Sequence, residues 1–128
     1  MPARVVFEYA IVRVVPRVER GECINVGVVL FCRARRFLDA RIALDTTRLA
    51  AFAPQLDLAS VTEQLGYIPL ICAGGDSAGP IGALPQPERF RWLVAPRSTI
   101  VQASTVHAGL CDDPRAELER LVETMVNG

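Results

Sequence analysis

The sequence predicts an α+β fold: a mainly antiparallel sheet of about four strands, in the order β-β-β-α-α-(α)-β-α, with helices packed on one face. Three observations carry that prediction. The chain up to Leu44 holds three β-branched runs separated by short polar breaks, helical periodicity takes over after it, and one more β-rich run precedes a capped amphipathic helix at the end. A chain of 128 residues suits one domain, 1–128, able to bury a core without disulfides or metal.

The strands come first. VVFEYAIVRVV (5–15), CINVGVVLFC (23–32) and FLDARIAL (37–44) are joined by PRVERGE and RARR, breaks short enough to link antiparallel neighbours. DTTRLAAFA (45–53) then opens with Asp45 or Thr46 as a helix cap and stops before Pro54. In DLASVTEQLGYIPLICA (57–73), capped by Asp57, the residues Leu58, Val61, Leu65, Ile68 and Cys72 form one helical stripe, and Gly66 and Pro69 either end the helix early or kink it. AGGDSAGPIGALPQP (73–87) is punctuated by glycine and proline and reads as the longest, most mobile connection.

PERFRWLVA (87–95) places Pro87 in a first turn and Phe90, Leu93 and Val94 on one face, so it reads as a short helix, with a strand as the alternative. STIVQAST (98–105) returns to a β pattern, and His107 with Gly109 reads as the turn out of it. The last helix, 112–126, has Asp112 or Asp113 as cap, Pro114 in its first turn and Leu118, Leu121, Val122 and Met125 at helical spacing.

Composition narrows the function. With 51% hydrophobic but only 6% aromatic residues, the core must be mostly aliphatic. Zero formal net charge leaves nucleic-acid binding unsupported. No run approaches the length of a membrane span, and no cleavage site follows the N-terminal apolar run, so a cytoplasmic protein with reduced thiols is expected. All fourteen basic residues are arginine, which removes Schiff-base and P-loop lysine chemistry; no cofactor is expected. Cys23, Cys32, Cys72 and Cys111 are scattered and His107 stands alone, so no metal site is expected either. Charge is uneven along the chain: residues 1–48 are arginine-rich and 110–128 acidic, so the two ends can meet each other or a partner.

Two groups of polar residues are site candidates. Arg97, Ser98, Thr99 and His107 could line a shallow site for an anion such as phosphate, which arginine binds in bidentate fashion. A Ser-His-Asp arrangement of Ser98, His107 and Asp112 or Asp113 lacks a nucleophile elbow, and the aspartates stand where a helix cap is needed. The second group lies in RGECINVGVVLF (20–31), where Arg20, Glu22 and Asn25 could touch a ligand. The preferred reading makes Glu22 and Asn25 buried partners of Arg13 or Arg17, and puts Gly27 where another backbone or a ring approaches closely. The glycines of 74–82 are in neither a P-loop nor a dinucleotide-binding context. Both faces of 5–14 are largely apolar, which favours a homo-oligomer or a bound partner to cover one of them.

Residues 9–31, 88–104 and 106–122 resemble a bacterial family of small single-domain proteins catalogued as a domain of unknown function. The likeness is carried by Tyr9 and Arg13, by Arg20-Gly21-Glu22 with Asn25-Val26-Gly27, and by Pro96-Arg97-Ser98-Thr99. The resemblance brings no catalytic residues. Genes of that family often lie beside those of HipA-like kinase-fold proteins, which implies such a protein as a partner and an accessory or interaction role.

Overall fold

The structure, a computed structural model, describes residues 4–127. Its element order is β1 (Val5–Val14), β2 (Ile24–Cys32), β3 (Phe37–Ile42), α1 (Thr46–Phe52), α2 (Leu58–Ala73), α3 (Gln86–Val94), β4 (Val101–Ala103), β5 (His107–Cys111) and α4 (Pro114–Met125), with 3-10 turns over 76–83 between α2 and α3. The α+β class and the antiparallel sheet are as the sequence predicts. Strands run β3-β2-β1, and β4 and β5 share the far side of β1: β4 pairs with Val12–Val14, β5 with Val5–Tyr9. β5 occupies the place where the sequence suggested a turn around His107.

Side-chain alternation along β2 divides the core. Val28, Leu30 and Cys32 meet Leu118, Leu121 and Val122 of α4, whereas Val29 and Phe31 meet Ile71 and Cys72 of α2 and Phe90 and Leu93 of α3. The helices expected on one face therefore cover both: α4 on one, α1–α3 on the other. α4 fills the face for which the sequence favoured a homo-oligomer or a bound partner as the cover.

The two ends of the chain meet each other through ion pairs. Arg115 of α4 pairs with Asp39 of β3 at 2.6 Å and lies over the Phe37 ring, Arg41 pairs with Glu119 at 3.1 Å, and Arg4 with Asp112 at 3.8 Å. Exposed pairs of this kind stabilise by about 0–1 kcal/mol each, so they orient α4 while its buried leucines hold it. Asp45, Asp57 and Asp113 are the helix caps, each carboxylate accepting a first-turn N–H. α2 continues through Gly66 and Pro69 to Ala73, and 86–94 is helix rather than strand.

Opposite the Val12–Arg13 step of β1 the register shifts by one residue, leaving Val26 of β2, next to Gly27, as the extra residue of a bulge. Gly27 is needed there because a Cβ would lie 2.7 Å from the Arg41 carbonyl oxygen. Ser104 then carries the ladder across the break between β4 and β5: its N–H donates to Ile11 O and its Oγ accepts from Ile11 N–H, both at 2.8 Å.

Candidate functional site

The helices on the α1–α3 side leave a gap. α2 lays Ile68 and Ile71 toward the sheet, α3 lays Phe90 against Phe31 with ring centroids 5.1 Å apart, and β4 turns Val101 and Ala103 to the same face as Val12. Between these elements lies a cleft of about 420 Å³, floored by Val12 and Val29 and lined also by Ala78 and Ile81 of the connection. Its volume falls in the range of small-molecule and anchor-residue pockets. Its interior is aliphatic, and its rim carries Gln64, Tyr67, Trp92, Arg97, Thr99 and Gln102.

Two arginines hold the walls. Arg97 lies 4.3 Å over the Trp92 ring and donates to Trp92 O at 2.5 Å and to Leu93 O at 3.4 Å, placing its positive charge on the carbonyl end of α3. Arg89 donates to Ile71 O at 2.8 Å, to Cys72 O at 2.6 Å and, through Nε, to Leu84 O at 3.0 Å, tying the end of α2 to the connection and to α3. In that connection Gly75 N–H donates to Gly82 O at 3.0 Å, and a Cβ on Gly82 would lie 2.0 Å from Gly75 O. Gly82 serves this close backbone contact, in the connection that lends Ala78 and Ile81 to the cleft.

The sequence-derived site residues distribute over four places. Arg97 and Thr99 share the cleft; Thr99 Oγ1 also donates to Val101 O at 2.8 Å, and Ser98 is exposed beside them. His107 lies on β5 opposite Tyr9, its ring 5.3 Å from the Tyr9 ring, on the sheet face that α4 covers. Tyr9 and Val12 are three residues apart on β1, roughly 10 Å of strand, so His107 is separated from Arg97 both along the sheet and across it. Asn25 donates to Met125 O at 3.0 Å, fastening the end of α4 to β2. Arg20 and Glu22 pair with each other at 2.6 Å at a smaller hollow of about 230 Å³ beside Pro16, Arg17 and Phe52. Glu22 and Asn25 thus have partners other than Arg13 and Arg17, and the Nε of Arg13 is buried without a hydrogen bond.

The sequence reading did not single out Tyr67 and Trp92. A signal was there: both lie off the stripes that bury α2 and α3, yet both are aromatic, and they are 51% and 40% exposed at the rim. The thiols are not chemical groups of the site. Burial, reinforced by the negative charge of Asp39, pushes Cys72 up to about 12, and burial also raises Cys111. Among the described residues no three His, Cys, Asp or Glu side chains gather as metal ligands, and no helix is long and apolar enough to cross a membrane.

No curated protein and no solved structure matches this chain. Residues 9–126, nearly the whole of the described chain and all the elements around the cleft except the first residues of β1, match the family described as protein of unknown function (DUF3037), and the chain belongs to that family.

Proposed function

We propose that the protein is an interaction module whose cleft between α2, α3 and β4 receives an apolar segment of a protein partner. The observation that carries this reading is the open aliphatic cavity rimmed by part-exposed Tyr67 and Trp92, with Leu70 exposed on α2 nearby. Apolar concavities with aromatic rims recur where partners anchor, and Tyr and Trp are the residues that most often dominate such contacts. Arg97 already fixes Trp92 in place, so docking forfeits little side-chain freedom there.

The HipA-like kinase-fold protein implied by the sequence resemblance is the first partner to test, and the cytoplasm, where free thiols persist, is the compartment that suits four unpaired cysteines. A phosphate-bearing ligand on Arg97, Ser98, Thr99 and His107 has less support, because His107 stands on the other sheet face, away from the other three. Binding of that kinase-fold protein, measured by titration calorimetry, should weaken at least tenfold in Ala103→Glu and Trp92→Ala and be unchanged in Arg20→Ala. Equal affinity for all four proteins, or no binding by the wild type, would reject this assignment.

A further inference from the structure

From Ser98 to Cys111 the chain has no formal charge and no proline, and this stretch forms one outer edge of the sheet. Natural sheets blunt such edges with lysine, proline or short, twisted strands, because a row of free N–H and C=O groups is a template for another strand. Neither charge nor proline blunts this one, and Val106 and Leu110 stand 40% and 56% exposed along it.

The hydrogen bonds show which groups face outward. Val15 N–H donates to Ile100 O, and Ser104 N–H to Ile11 O, so residues 100, 102 and 104 turn their backbone toward β1 while Val101 and Ala103 turn theirs away from it, Val101 O accepting from Thr99 Oγ1 with one lone pair left for an added strand. The side chains of these same two residues border the cleft. Edge and cavity are therefore continuous.

We infer that the partner enters by strand addition: an extended segment pairs antiparallel or parallel with the outer edge of β4 and sets one large apolar side chain in the cleft, with an acidic residue beside it. The inference rests on the docking reading above and specifies its mode. Residues of an added strand opposite Val101 and Ala103 project to the face those side chains share, which is the cleft face. A second copy is the poorer occupant, since β4 itself would offer only valine, glutamine and alanine to a cavity of about 420 Å³. The acidic residue follows from Arg97, the one charged side chain in the lining: two of its five N–H donors are engaged on α3, and the rest are open to a carboxylate.

The test selects nine-residue displayed peptides on the purified full-length chain and titrates the enriched peptide against the fluorescence of Trp92, the only tryptophan. Enriched sequences should carry Leu, Ile, Phe or Met with Asp or Glu nearby. Backbone N-methylation at alternate peptide positions should weaken binding at least tenfold, and at the intervening positions less than twofold. Ala103→Pro, which removes an outward donor and no bond to β1, should also weaken it tenfold; the peptide scan decides the matter if that variant does not fold. Tolerance of N-methylation at every position, with binding still abolished by the cleft-filling Ala78→Phe, would overturn strand addition and leave the docking reading standing. Indifference to both changes, or no enrichment at all, would overturn both. A dimer in sedimentation that Ala103→Pro dissociates would identify a second copy as the occupant and overturn the assignment to another protein.

Discussion

Ser104→Ala should be among the most costly single-atom deletions in the sheet. Ser104 is 6% exposed, and its Oγ accepts the Ile11 N–H at 2.8 Å while donating to Thr105 O at 2.9 Å. Alanine leaves the N–H of buried Ile11 without an acceptor, at a cost of about 1–3 kcal/mol, and the lost bond to Thr105 adds about 0.5–1.5 kcal/mol. Water at the open edge recovers part of this, giving a net loss of about 2–3 kcal/mol. For a chain of this length that corresponds to a fall in Tm of roughly 8–12 °C. Urea unfolding should show a lower midpoint with an unchanged slope, and hydrogen exchange of the Ile11 amide should accelerate more than that of its neighbours in β1. A loss below about 0.5 kcal/mol, or an Ile11 amide as protected as in the wild type, would refute the claim that Oγ bridges β4 and β5.

Asp113→Ala should destabilise by about 0.5–2 kcal/mol through loss of the α4 cap, whereas Asp112→Ala should change chemical unfolding little. Arg97→Ala should lower stability by about 1 kcal/mol and alter Trp92 emission, since the guanidinium both stacks on the ring and caps α3; an unchanged spectrum would contradict the stack. At pH 8 a disulfide reagent should titrate one thiol rapidly, exposed Cys23, and the remaining three only in denaturant. With its pKa near 12 Cys72 is about one part in ten thousand thiolate at that pH, so a second fast thiol in the native protein would be evidence against the packing described for the buried cysteines.

Much of the fold is local chemistry and could be read directly. Asp113 and Pro114 start α4, the 118/121/122/125 spacing gives it a buried face, and three β-branched runs with short breaks make the antiparallel β1–β3 meander. β5 was not legible, because His107–Cys111 has little strand character of its own and becomes a strand by pairing with Val5–Tyr9 at the far end of the chain. The division of the helices between two faces was hidden for a different reason: β2 is apolar at nearly every position, so its alternation carries no sign of which side α4 will take. Arg97 was legible as a residue of interest but not in its role, which depends on where the carbonyls of Trp92 and Leu93 end up. The cleft exists only once α2, α3 and β4 are placed together, and in the sequence its trace was two aromatic residues off the buried stripes.

The central claim, that the cleft beside β4 is the docking surface, is tested most directly by hydrogen exchange read by mass spectrometry on the protein alone and with the HipA-like kinase-fold protein. The account predicts added protection confined to α2 from Gln64 onward, to 89–97 and to the β4–β5 edge, with α4 and the Arg20–Glu22 hollow unchanged. Protection on α4 or around Arg20 with none at 89–103 would contradict it.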